Sequence, residues 1–252
     1  MGFALTKWYL DAVDDDGEVR LGYAAELHAG ALRQRYASLL SASTVRAPRT
    51  HTRLREARLP DEHADGVHWA VRGLEISGRW APAAAPLAPV ELLDEPGALT
   101  WTCLQPRATV ELTHQRRRLH GVGYLERVEL RVPPWQLPVD ELRWGRAHLG
   151  PHTLVWIDWR GPRPTTRVFV DGALVDGAVG DDEVHTPRLR VTLTRRATLR
   201  SGDVASTAFA RVPAVRALLA KHKLLLDESK WLSRASGAGH DGWAIHEVVR
   251  WR

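Results

Sequence analysis

Residues 6–28 read TKWYLDAVDDDGEVRLGYAAELH. Asp14-Asp15-Asp16-Gly17 interrupts the stretch with a turn signal in which glycine supplies a positive φ, so 6–13 and 18–28 are predicted as the two strands of a hairpin. In the second strand Val19, Leu21, Tyr23, Ala25 and Leu27 fall on one face, and Glu18, Arg20, Glu26 and His28 on the other. A period of two is the mark of an extended strand with two different faces.

The same pattern runs outward in both directions. Further strands are predicted at 31–41, 51–58, 67–77, 99–104, 107–113 and 117–131, then at 142–149, 152–160, 166–171, 173–178, 187–199 and 242–251. Asp171-Gly172 is a second hairpin signal, and Leu189, Val191 and Leu193 alternate with Arg190, Thr192 and Thr194. Only Val212–Lys223 (VPAVRALLAKHK) is predicted as helix, with Pro213 in its first turn and lysines toward its C-terminal end. Trp80–Pro89 (WAPAAAPLAP), with three prolines, is predicted as a loop or lid. Pro133, Pro134 and Pro138 lie between two long strands and mark the expected boundary between domains 1–134 and 135–252. No repeat is visible residue by residue. Many antiparallel strands with little helix leave an all-β sandwich or barrels.

Composition narrows the function. The single cysteine, Cys103, precludes an intrachain disulfide and is expected to be a small core residue. No basic segment followed by an apolar one opens the chain, and no uncharged apolar run could span a bilayer, so the expected location is the cytoplasm. The net charge of +5 raises the question of nucleic acid, but the arginines are dispersed and interleaved with acids, and only Arg116–Arg118 forms a run; no nucleic-acid partner is expected. The twelve histidines form no HExxH and no ligand set, no phosphate loop opens a helix, and no serine sits in a nucleophile elbow, so neither metal nor cofactor is expected. Eleven tryptophans are read as sheet core, with some lining a cavity.

Strand phase exposes three carboxylates on apolar faces. Glu126 follows Tyr124 on the face of Val122, Val128 and Leu130. Asp158 shares a face with Leu154 and Trp156, on a strand whose other face holds Val155, Ile157 and Trp159. Glu247 shares a face with Trp243, Ile245, Val249 and Trp251. A buried carboxylate needs a partner or a shifted pKa. A buried ion pair is one outcome, with Arg146, on the face of Leu142, Trp144 and His148, as a partner. A carboxylic acid kept for general-acid chemistry is the other.

The run Gly121-Val-Gly-Tyr124-Leu-Glu126, the segment Leu142-Arg-Trp144-Gly145-Arg146 and the strand Val155-Trp156-Ile-Asp158 resemble the carotenoid 1,2-hydratase (hydroxyneurosporene synthase) superfamily, which includes lipocalin-like Diels–Alderases. Tyr124 matches the tyrosine of the hydratases' Y-H-D-H-N motif, Glu126 replaces its aspartate, Trp144-Gly145-Arg146 match W-G-R, and Asp158 matches the strand aspartate. The departures are Leu125 and Arg127 in place of histidines and Val128 in place of asparagine. The resemblance implies two lipocalin-like antiparallel barrels in tandem, with one short helix near the C-terminus, around a hydrophobic small molecule. It also implies a site in which Glu126, Asp158 and Tyr124 act chemically while Trp144 and Arg146 contact the ligand; strand phase adds Trp156 and Glu247 as ligand contacts. Three functions fit: acid-assisted hydration, isomerisation or cyclisation of an isoprenoid or polyketide-like molecule; a pericyclase that shapes its substrate; and a non-enzymatic carrier or sensor. Oligomeric state cannot be read from the sequence.

Overall fold

The computed structural model describes residues 2–252. The fold is all-β, with 62% strand against 6% helix. By its internal contacts the chain divides into two compact units, Met1–Ala42 with Arg49–Leu137, and Ser43–Pro48 with Pro138–Arg252.

The first unit holds β1 (Phe3–Val13), β2 (Val19–Ala29), β3 (Leu32–Ala42), β4 (Arg49–Arg53), β5 (Asp61–His63), β6 (Gly66–Val71), β7 (Ile76–Pro82), β8 (Val90–Glu91), β9 (Leu99–His114) and β10 (Arg117–Leu130). They pair antiparallel in the order β4-β3-β2-β1-β10-β9-β7-β6-β5, with β8 added against β9. The sheet curls until β4 meets the 3₁₀ turn Arg72–Leu74 that comes after β6. Inside the curl pack Trp8, Leu10, Leu39, Trp69, Val71, Trp80, Val110 and Leu125. Trp69 crosses from β6 to lie over Gly22 of β2, where a Cβ would come within 2.5 Å of the indole. Burying an indole of this size removes roughly 150–250 Å² from water, about 4–6 kcal/mol by area.

The second unit holds β11 (Glu141–Leu149), β12 (His152–Arg160), β13 (Thr165–Val170), β14 (Ala173–Val175), β15 (Ala178–Val179), β16 (Glu183–His185), β17 (Arg190–Asp203), α1 (Pro213–Lys221), β18 (Leu226–Gly237) and β19 (His240–Trp251). The sheet order is β14-β13-β12-β11-β19-β18-β17-β16-β15. With β8 set aside, this is the strand order of the first unit, so a repeat invisible in the residues is present in the topology. The curl closes where Arg160 of β12 donates to the Val179 carbonyl of β15 at 2.7 Å. Trp156, Leu154, Val168, Val184, Val191 and Ala244 fill its interior. Trp156 lies over Gly145 of β11, the glycine of the Trp-Gly-Arg segment.

The period-two reading located most strands, the Asp14–Gly17 and Asp171-Gly172 turns, and the one α-helix. Four points differ. Residues 67–77 are not one strand: Val71 to Ile76 turns through the 3₁₀ segment into a hairpin of β6 and β7. Residues 99–113 are one strand rather than two, because a bulge absorbs Pro106. Trp80–Pro82 belongs to β7, pairing with Val110–Ala108, and the loop begins only at Ala83. Strands β5, β8, β16 and β18 fall in stretches assigned no element, and β18 lies inside the second sheet, between β19 and β17. Among the described residues no helix is long and apolar enough to cross a membrane.

Candidate functional site

In the first unit the strands bury both faces. One is the apolar interior. The other carries Tyr9, Asp11, Tyr23, Trp101, Cys103, Tyr124 and Glu126, all buried. Antiparallel register places them together: Tyr9 faces Glu126 and Asp11 faces Tyr124 between β1 and β10, Tyr9 faces Tyr23 between β1 and β2, and Cys103 faces Glu126 between β9 and β10.

The local geometry has a cause in β9. Between the positions paired with Gly123 and Leu125, β10 has one residue, Tyr124, but β9 has two, Pro106 and Arg107. One step on, Leu104 is extra between the partners of Leu125 and Glu126. A proline has no N–H to give the ladder, so a bulge is where it fits in mid-strand. Two bulges beside Tyr124 and Glu126 bend the strand there and aim the side chains of β9 at the carboxyl. Trp101 Nε1 donates to Glu126 Oε2 at 2.5 Å, and the Tyr124 hydroxyl donates to the same oxygen at 2.7 Å. Burial pushes the Tyr124 hydroxyl well above the ordinary phenol range, with Cys103 and the Glu126 carboxyl adding to it, so Tyr124 is a proton-bearing donor. Burial likewise pushes the Cys103 thiol well up, against a hydrogen bond with Tyr124. Cys103 is the buried core residue expected, and as a thiol it is a poor nucleophile.

The second unit also buries both faces. Trp144 and Arg146 lie outside the barrel interior, with Glu247 opposite Trp144. Glu247 pairs with Lys230 Nζ at 2.5 Å, Lys230 stands 3.6 Å from Glu228, and Arg200 binds Glu228 at 3.0 Å. Lys230 also sits 5.7 Å from the Trp144 ring centre. Burial would raise the Glu228 carboxyl, but Lys230 and Arg200 outweigh it and hold it at about 2. Arg146, fully buried, donates to the Trp243 carbonyl at 3.0 Å.

Asp158 lies on the opposite face of this sheet from Arg146: its cross-strand partner is Arg143, three residues from Arg146 and therefore of the other phase. Its carboxylate is held by Arg160 Nε at 2.7 Å and by the Thr166 hydroxyl at 2.7 Å. Arg160 in turn reaches Glu141, which also binds Arg143 and Arg250. Asp158 and Trp156 thus share the interior face, as strand phase implied, with Asp158 in a charged network at one end. Tyr124 joins Glu126 and Trp144 joins Glu247, but Asp158 and Trp156 are separated from Trp144 and Arg146 by the sheet.

Six participants were missed. Trp101 and Cys103 were visible as alternating buried residues of β9, and Asp11 as a carboxylate among Tyr9, Leu10 and Ala12. Arg200, Glu228 and Lys230 lie on or beside the strand that was not assigned, so no phase pointed to them. Among the described residues no group of three or more histidine, cysteine or acidic side chains is arranged to hold a metal ion.

No family model matches the sequence, and no curated protein matches it significantly. Solved structures do share its fold. NE1406 from Nitrosomonas europaea superposes with a TM-score of 0.62 at 9% identity, covering 98% of this chain and 92% of that one. CghA in complex with Sch210972 gives 0.60 at 13% identity, covering 99% and 88%. Kievitone hydratase from Nectria haematococca gives 0.54 at 8% identity, covering 99% and 89%. At these identities the likeness is one of fold: the chain shares the lipocalin-like architecture of these proteins.

Proposed function

We propose that the protein is an enzyme that protonates a hydrophobic, isoprenoid or polyketide-like small molecule from Glu126, in a hydration, isomerisation or cyclisation. The observation that carries this reading is the convergence of Trp101 Nε1 and the Tyr124 hydroxyl on one oxygen, Oε2, of a buried carboxyl. With Oε2 taken by two donors, Oε1 is the oxygen that bears the transferable proton when the buried carboxyl is protonated. Trp101 and Tyr124 are then positioning residues, and the rings of Tyr9, Tyr23 and Tyr124 offer π faces to a developing cation. Two structural neighbours point the same way: one is named a hydratase and the other holds a small molecule.

The test is a displacement screen in which isoprenoid and polyketide candidates compete with 1-anilinonaphthalene-8-sulfonate, followed by incubation of the binders and mass analysis of products. Gain or loss of one water mass marks hydration or dehydration, and an unchanged mass with altered retention marks isomerisation or cyclisation. Glu126→Gln is expected to keep binding and to lose about 10²–10⁴ in turnover. Binding without any turnover in the wild type would make the protein a carrier, as would full tolerance of Glu126→Gln.

A further inference from the structure

We infer that His152 and His240 form a binding site for one divalent first-row transition-metal ion, Zn²⁺ or Cu²⁺, at one rim of the second unit. The site belongs to that unit alone and does not depend on the role proposed for Glu126.

Three turns bring the residues together. Gly150-Pro151 joins β11 to β12, Asp171-Gly172 joins β13 to β14, and Ala238-Gly239 joins β18 to β19. Gly242, opposite Leu149, lets β19 approach β11 so closely that a Cβ there would overlap the His148 carbonyl. His240, two residues earlier, overhangs the β11–β12 turn. The Nδ1 edge of its ring lies over Gly150, where a Cβ would come within 2.7 Å and where φ is +50°. The missing side chain of Gly150 is thus what admits His240 beside His152. The two ring centres are 5.7 Å apart, with the rings inclined at 64°.

The tautomer of His152 is set by its neighbour. Its Nδ1 lies 2.9 Å from Asp171 Oδ2, and a carboxylate oxygen only accepts, so Nδ1 carries a proton and the neutral ring keeps its lone pair on Nε2. Asp171 is itself held in place. Its Oδ1 accepts from the Thr153 amide at 2.8 Å, and its own amide donates to the Thr153 carbonyl at 2.8 Å. A carboxylate behind an imidazole is how metal-binding histidines are oriented and made more basic. Two imidazole nitrogens about 2.0–2.1 Å from one ion, at angles of about 100–125°, place their ring centres roughly 5–6 Å apart. The separation of His152 and His240 meets that requirement. Imidazole donors select Zn²⁺ and Cu²⁺ over Mg²⁺ and Ca²⁺, and water completes the coordination. Two protein ligands rather than three agree with the lack of a three-residue ligand set among the described residues. His63 and His68, with ring centres 4.6 Å apart, are a poorer pair. His68 Nε2 is engaged with Asp65 Oδ1 at 3.0 Å, and Arg79 on the same carboxylate sets a fixed positive charge beside it.

Calorimetric titration of ZnCl₂ into the untagged, chelator-stripped chain tests the site. Wild type is expected to bind one Zn²⁺ with a dissociation constant on the order of 1–100 µM, about half the binding free energy of a four-ligand zinc site. Cu²⁺ should bind more tightly. His152→Gln and His240→Gln should each weaken Zn²⁺ binding by about tenfold or more, and Asp171→Asn, which keeps both ligands, by about tenfold. His68→Gln should leave binding unchanged. Cu²⁺ should broaden the ring-proton resonances of His152 and His240 ahead of those of the other histidines, and far-UV circular dichroism checks that each variant folds. Loss in only one of the two histidine variants overturns the shared ion, because a single imidazole would then be the ligand. Binding that survives both substitutions, or no Zn²⁺ uptake at about 1 mM, overturns the site.

Discussion

Acidification from pH 7 to pH 4.5 should destabilise the second unit by about 3 kcal/mol through one side chain, His246. It is 4% exposed, it lies near the rings of Trp156 and Trp231, and its Nε2 is 2.9 Å from the Ser233 hydroxyl. Burial, and then the charge of Arg195, depress its pKa to about 3. The folded value lies below the unfolded one, so the unfolded chain binds more protons in the interval between them. The contribution to stability is complete above about pH 6.5, falls as the pH drops, and is gone at about pH 3. The slope is about 1.36 kcal/mol per pH unit, and the two units from 6.5 to 4.5 give the figure above. With a urea dependence of about 2–3 kcal/mol per molar, the midpoint should fall by about 1 M. The assay is urea unfolding by tryptophan fluorescence at both pH values, in wild type and in His246→Gln, whose amide retains a hydrogen bond to Ser233. The pH-dependent loss should shrink in the variant by about 2 kcal/mol or more. His114, also depressed by burial and by Arg20, is present in both proteins and cancels. Glu228, held at about 2, loses its contribution only as the pH falls from the ordinary carboxylate range through 2, below the window used. An equal loss in wild type and variant would refute the assignment.

Gly145→Ala should cost about 3 kcal/mol or prevent folding, because the new Cβ would stand 2.2 Å from Trp156 Cζ2 and 2.7 Å from His246 Cβ inside a packed core; thermal unfolding reads it. Lys230→Met should cost about 3–5 kcal/mol, since Glu247 loses its partner at 2.5 Å and Glu228 one of two. Lys230→Met with Glu247→Gln should recover more than half of that, and a fully additive double-mutant cycle would show that the two groups do not interact.

How much of the molecule was legible depended on whether the signal was local. The hairpin Thr6–His28 and the strand His152–Arg160 were readable because alternation and turn chemistry are properties of neighbouring residues. Glu126 was suspect for the same reason, a charge two positions from Tyr124 on an apolar face. Trp101 was not connected to it, because that contact spans 25 residues and is set by bulges at Leu104 and Pro106. Asp158 looked like a partner for Arg146, but face assignment within one strand says nothing of which face of its neighbour it joins. That depends on cross-strand register, and Asp158 opposite Arg143 puts Arg146 on the far side. Strand β18, DESKWLSRASG after its first leucine, alternates poorly in hydropathy because one face is a buried ion-pair network; the pattern that reveals a half-exposed strand is lost when charges are inside.

The two units repeat one topology and differ in how they use it. In each unit the last strand lies between the first strand and the next-to-last. In each it carries a glutamate opposite an aromatic residue of the first strand: Glu126 opposite Tyr9, and Glu247 opposite Trp144. The next-to-last strand decides what that glutamate can do. In the first unit it presents Cys103 and Trp101, a neutral thiol and a neutral indole donor. In the second it presents Lys230, an ammonium 2.5 Å from the carboxylate. A buried ion pair of that kind fixes charge and register, and removing either partner strands the other. In the first unit the donors on the glutamate's Oε2, Trp101 Nε1 and the Tyr124 hydroxyl, orient the carboxyl to which the proposed function assigns the proton transfer. A glutamate opposite an aromatic residue of the first strand thus meets an ammonium in the second unit and an indole and a phenol in the first, and the proposed acid role is the one assigned to the first.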